Sequence, residues 1–188
     1  MHANASLIDL LLELQALDRV PRMGYLLRGV TDAESVTEHS WHVLFLVWSL
    51  GAAEPSLNLQ RAMEMALVHD LAELRIGDLP RTVAGYFPKG AKAAAEEAAL
   101  EEILFPLPAS ALGLWRDYDA GASAEARFVK GCDKLQLMIK VSVYERWGEG
   151  ALAEFWDNPD NFPDGGFATI AAAFQQLRER RQAALSAP

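Results

Sequence analysis

The 188-residue chain is poor in cysteine. Cys132 stands alone, so no intramolecular disulfide can form and a thiolate-rich zinc site is excluded. A lone thiol suits a reducing cytoplasm, the compartment expected for this chain. Long apolar runs are also missing. None reaches the ~20 residues that a bilayer-spanning helix needs, so no membrane association is expected. The N-terminal stretch MHANASLIDLLLELQAL has no basic region ahead of its apolar positions, and Asp9 and Glu13 interrupt it. It reads as an amphipathic helix, not a signal peptide. Basic charge is scarce too: 17 Lys and Arg against 26 Asp and Glu leave a formal net charge of −9. That excludes broad binding of nucleic-acid polymers, which depends on clustered cations. It leaves room for a small phosphate ligand, because a few local arginines or a bound cation reverse the field inside a pocket. No strand alternation, internal repeat or low-complexity linker is found.

What is present is helical periodicity. With 51% hydrophobic and 23% charged residues, the composition is globular and the length fits one substantial core. Ser6 is placed to cap a first helix to about Leu17, with Leu7, Leu10, Leu11, Leu14 and Leu17 on one buried face. Residues 18–34 hold Pro21, Gly24 and Gly29 and read as a loop carrying Arg19, Arg22 and Arg28. Further helices are expected over about 35–53, from 57 or 58 through Asp70 to about 74, and over 89–104, 109–119, 123–147 and 167–185. Loops at 75–88 and 157–166 separate them. The fold class is therefore all-α, a single helical bundle spanning residues 1–188.

Four stretches carry unusual polar residues: ESVTEHSWH (34–42), VHDLAE (68–73), IGDLP (76–80) and KGCDKLQ (130–136). His39, His69, Asp70 and Asp133 form a mixed nitrogen and oxygen donor set. Such a set suits a divalent first-row ion or magnesium, with water completing the shell. Glu73 follows His69 by four residues and Asp70 by three, so a helix places it beside that ion without ligating it. A carboxylate there can hold a water or a leaving-group proton. Asp78 lies past Gly77 on a loop that can fold back over the same pocket. Taken singly, each residue has a plainer reading. His39 could be a hydrogen-bonded core histidine, Asp70 half of a buried ion pair, Glu73 a solvated helix charge, and Asp133 a partner of Lys130 or Lys134. His42 is read as structural, Glu38 as facing away from the site, and the Glu96, Glu97, Glu101, Glu102 run as a solvated face. Trp41, Trp48, Trp115, Trp147 and Trp156 are assigned to the core or an interface.

In order and spacing, ESVTEHS, HDLAELRIGDLP and SAEARFVKGCDKLQ resemble the HD-domain metal-dependent phosphohydrolases. The match is closest to the HD-domain 5'-deoxynucleotidases and covers roughly Leu7 to Tyr144, leaving residues 145–188 as a C-terminal helical extension. The resemblance implies an HD-type bundle whose His39, His69, Asp70 and Asp133 bind one divalent ion (Mn, Co, Mg or similar). It implies catalytic roles for Glu73 and Asp78, a small nucleotide as substrate, and a homodimer. The family's substrate contacts come from the loop before the EHS segment. There the bacterial nucleotidase carries an Arg-Trp pair, and an ungapped match sets Gly24 and Tyr25 in those places. RMGY is closer to the RxGW form of the eukaryotic relatives, which makes Arg22 the candidate phosphate contact, with Arg28 competing and Tyr25 in the tryptophan's position. The implied activity is hydrolysis of (deoxy)nucleoside 5'-monophosphates to nucleoside and phosphate. A phosphodiesterase acting on another nucleotide and a non-catalytic metal- or nucleotide-binding module are the alternatives.

Overall fold

A computed structural model describes residues 6–186; His2 and the rest of residues 1–5, like residues 187–188, lie outside them. The elements run α1 (Leu7–Leu14), α2 (Met23–Leu26), α3 (Val36–Gly51), α4 (Leu59–Val68), α5 (Glu73–Ile76), α6 (Ala91–Ile103), α7 (Ser110–Ala120), α8 (Ala124–Trp147), α9 (Ala153–Asp157) and α10 (Ala168–Leu185). Single 3-10 segments occupy Gln15–Arg19, Arg81–Tyr86 and Pro159–Asn161. No strand occurs among the described residues, where the sole extended pairing is an isolated bridge between Pro21 and Ser35.

Caps set the starts of the helices. Ser6 and Ser35 each accept from the backbone three residues on, and Asp9 and Glu38 reciprocate. Glu38 is therefore spent on capping α3. Ser123 caps α8 in the same way. The centre of the molecule is α3, α4 and α8, packed through Val43 and Val47, Met65 and Ala66, and Phe128, Cys132, Leu135 and Met138, with Ile170 and Phe174 of α10 behind them. A second apolar cluster gathers Leu10, Val68, Leu100, Ile103 and Trp115 from α1, α4, α6 and α7, with Ala72 from the turn before α5. Residues 69 and 70 follow the end of α4, where one cluster gives way to the other.

The expected leucine face of α1 is only partly used. Leu10 and Leu17 are buried, but Leu7 and Leu11 stay exposed, because a short helix at the rim meets the bundle along one line. Within the expected 18–34 loop, residues 23–26 close one helical turn. The expected 157–166 loop begins with the 3-10 turn, and α9 precedes it. The largest revision concerns the helix expected to run through Asp70. α4 stops at Val68, and tight i→i+3 bonds take over, from Leu71 N to Val68 O and from Glu73 N to Asp70 O. Residues 69–72 thus form successive turns, and Glu73 opens α5 directly after them. Gly77, at φ +71°, then ends α5 with its N–H on Glu73 O, a conformation that a Cβ would strain.

Candidate metal centre

The three central helices each deliver a donor to one point. His39 lies in the first turn of α3, His69 just beyond the last residue of α4, and Asp133 in the middle of α8. His39 Nε2, His69 Nε2 and Asp70 Oδ2 stand 3.4 Å from one another. Asp133 Oδ1 is 3.2 Å from His39 Nε2. Donors about 2.1 Å from a common first-row ion are themselves about 3.0 to 3.4 Å apart, depending on octahedral or tetrahedral geometry, so the spacing fits. The proton pattern fits as well. His69 Nδ1 is 2.7 Å from Ala66 O, one of the carbonyls that a helix end leaves free. A carbonyl only accepts, so Nδ1 carries a proton, and Nε2 is the atom turned towards Asp70 and His39. Two Nε2 atoms and two carboxylates converging on one point suit a cation.

Arg22 projects over this point. Its Nη1 is 3.1 Å from Asp70 Oδ2, 3.2 Å from Asp78 Oδ1 and 3.8 Å from Glu73 Oε1. Asp78 Oδ2 accepts from Met23 N at 2.6 Å. Both oxygens of Asp78 thus hold the arginine segment, so this carboxylate is not a free acid over the pocket. The segment is fixed from behind as well, by Arg22 N to Glu34 O at 2.9 Å and Val36 N to Val20 O at 2.8 Å.

The charges divide sharply. Burial disfavours the ionised form of Asp70, but His69, Arg22 and His39 outweigh it and hold the carboxyl below its usual range. For Asp133, burial is likewise outweighed by Lys134 and His39, and the carboxyl titrates well below the ordinary value. Burial lowers and Asp70 and Asp78 raise the Arg22 guanidinium, which stays charged. Glu73 goes the other way. Burial and the Asp70 charge raise its carboxyl to about 10, and its Oε2 has no hydrogen-bond partner.

These groups face a cavity of about 750 Å³. Of the residues expected to touch substrate, Arg22 reaches the centre. Tyr25 lines the wall, but it is buried, with its hydroxyl donating to Leu137 O and its ring edge-on to Tyr144. Arg28 lines the cavity too, ion-paired to Glu154 and not to the acids of the centre. Sequence reasoning missed Glu34, Gln136 and Lys92. Gln136 Oε1 is 2.6 Å from His39 Nδ1, and Glu34 binds Gln136 from behind. A signal was available: Asp133, Gln136 and Lys140 fall at i, i+3 and i+7, a polar stripe on an apolar helix. Lys92 lines the cavity and pairs with Glu96 at 3.1 Å, which removes Glu96 from the solvated run expected there. His42 is not in the donor set; its Nδ1 lies 3.9 Å from Glu34 Oε2.

An all-helical cluster of two histidines and an aspartate, with an arginine bearing on it, is the architecture of an HD-type metal centre. A family model described as HD domain matches residues 14–159, and the chain belongs to that family. It is 35% identical over 163 residues to the human 5'-deoxynucleotidase HDDC2, an alignment covering 84% of this chain and 78% of that protein. Among solved structures it resembles a conserved hypothetical protein from Pyrococcus furiosus, with 32% identity, a TM-score of 0.76, and 93% and 99% of the two chains covered. The cyanophage S-2L HD phosphohydrolase DatZ, solved with dA and one catalytic Zn2+ ion, shares the fold at 24% identity and a TM-score of 0.56, over 91% of this chain and 83% of that one.

Proposed function

We propose that this chain hydrolyses deoxynucleoside 5'-monophosphates to nucleoside and phosphate, using one divalent ion held by His39, His69, Asp70 and Asp133. The observation that carries the reading is the meeting of three donors 3.4 Å apart beneath a guanidinium 3.1 Å from one of them. The similarity to a named 5'-deoxynucleotidase supports the substrate class. When bound, the ion supplies polarisation of a phosphate oxygen and a water of lowered pKa. Arg22 offsets the charge of the transferring phosphoryl group. Glu73, whose carboxyl burial and Asp70 make hard to ionise, would give its proton to the 5'-oxygen as a water oxygen bonds to phosphorus and the bond to the 5'-oxygen breaks, and would regain a proton from that water. Asp78 acts through Arg22 by fixing the guanidinium and the Met23 amide. Tyr25 shapes the wall beside the sugar, and Arg28 stands farther out. The reaction belongs in the cytoplasm, where the single thiol of Cys132 stays reduced.

Metal-stripped protein given Mn²⁺, Co²⁺, Mg²⁺ or Zn²⁺ singly is expected to release phosphate from 5'-deoxynucleotides, more slowly from 5'-ribonucleotides, and not from 3'-monophosphates. Cleavage of cyclic or dinucleotide substrates in place of monophosphates would move the assignment to a diesterase. Metal binding without any turnover would move it to a binding module.

We further infer that two copies pair through α3. Trp41, Phe45 and Trp48 form an exposed stripe, with neighbouring rings 5.7 Å and 5.6 Å apart. Exposed aromatic patches of this kind mark protein contacts. Trp41→Glu with Trp48→Glu is expected to halve the mass measured by light scattering while metal binding persists. An unchanged mass would place the interface elsewhere.

A further inference from the structure

The residues behind His39 form a chain of contacts that ends at a buried carboxylate. Gln136 Oε1 lies 2.6 Å from His39 Nδ1. The amide nitrogen of Gln136 is spent on Glu34, 3.1 Å from Oε1 and 3.0 Å from Oε2. Lys140 Nζ, one turn along α8 from Gln136, is 3.2 Å from Glu34 Oε2. His39, Glu34 and Gln136 are all buried.

The donor inventory makes this chain directional. A carboxylate beside an ammonium only accepts, so it can face only the NH2 end of the glutamine amide. That turns the amide oxygen towards His39. An amide oxygen also only accepts, so the imidazole must present N–H at Nδ1. The Nε2 lone pair is then left for the side where His69, Asp70 and Asp133 converge. One buried charge, two bonds away, thus decides which nitrogen of His39 is free to bind an ion.

We propose that Gln136, oriented by Glu34 and Lys140, is the positioning residue that fixes the tautomer and ring orientation of His39 for metal binding. The proposal rests on His39 being a metal ligand. His69 needs no such relay, because the end of α4 offers it the Ala66 carbonyl. His39 lies in the first turn of α3, where the carbonyls of its own helix are already taken by amides one turn on, so its acceptor comes from another helix.

The test reads metal affinity and tautomer, not turnover. Gln136→Met keeps volume and removes the acceptor, and it is expected to weaken Mn²⁺ or Zn²⁺ binding by calorimetry about 10- to 100-fold. Glu34→Gln leaves an amide free to face either way and is expected to weaken binding less. Circular dichroism must show both variants folded. Independently, long-range proton–nitrogen NMR of metal-free wild-type protein is expected to show His39 protonated at Nδ1. Wild-type affinity in a folded Gln136→Met protein, or a bare Nδ1 on His39, would overturn the proposal. If Gln136→Met does not fold, the wild-type spectrum decides. If wild-type protein binds no divalent ion, the hydrolase reading fails by that result, and the spectrum still decides the tautomer.

Discussion

Glu73→Gln is expected to abolish turnover and stabilise the metal-free protein at once. The catalytic loss follows from removing the proposed proton donor and should be on the order of 10²- to 10⁴-fold in kcat. The stability gain follows from linkage. In the folded protein burial and Asp70 raise the Glu73 carboxyl to about 10, whereas unfolding returns it to the ordinary glutamate range near 4.3. Below that lower value both states hold the proton and the residue is neutral in both. Above it the unfolded chain releases a proton that the folded one keeps, so stability falls with rising pH until about 10. A glutamine never ionises and escapes this penalty. At pH 7 the variant should gain on the order of 4 kcal/mol, seen as a rise in Tm of about 8 to 16 °C. The gain should shrink to about 1 kcal/mol at pH 5 and grow at pH 8. Thermal melts of metal-free protein across that range check it; a variant less stable than wild type at pH 8 would contradict the account of Glu73 as a carboxyl that is hard to ionise. The stability given up by the native glutamate is the familiar cost of an active-site group.

Arg22→Ala should move phosphate and metal binding in opposite directions. The guanidinium is the cation nearest to Asp70, Asp78 and Glu73, at 3.1, 3.2 and 3.8 Å. Its loss leaves buried carboxylates facing one another, which costs on the order of 3 to 5 kcal/mol in the metal-free protein. A divalent ion repairs most of that imbalance, so the variant should bind Mn²⁺ about tenfold more tightly and show a larger metal-induced rise in Tm than wild type. Turnover should nevertheless fall about 10²- to 10³-fold, because the charge proposed to meet the phosphoryl group is gone. Calorimetry and phosphate release on the same preparation separate the two effects. If the variant bound the ion more weakly than wild type, Arg22 would be a scaffold for the ligand set and not a competitor for its charge.

Much of this site was legible because it sits on long, strongly periodic helices. The apolar pattern of α3, α4 and α8 brings their inner faces together, and polar residues on those faces must then meet. His39, His69, Asp70 and Asp133 are such residues. What resisted reading depends on contacts remote in sequence. Asp78 looks like a free acid until Met23, 55 residues away, is seen to donate to it. Glu34 opens one of the unusual polar stretches, but nothing near it in sequence shows that Gln136 and Lys140 of α8 will meet it and bury it. Tyr25 sits in what looks like a loop, and the packing of Tyr144 and Phe155 turns it into a wall. The leucines of α1 follow a helical stripe faithfully, yet periodicity cannot say how wide a neighbour that stripe will find.

The bridge between Pro21 and Ser35 divides labour along the chain. Residues 20–22 and 34–36 are clamped to each other, and the clamp carries Arg22 and leads directly to His39. Residues 23–33 leave the clamp and return to it as a closed excursion, and they carry Tyr25 and Arg28 on the cavity wall. Changes of length or sequence beyond Met23, within residues 24–33, can reshape the wall while the clamp and Asp78 still hold the arginine and the histidine. A lineage can therefore retune which sugar or base it accepts by editing one loop, while the chemistry it inherited stays in register.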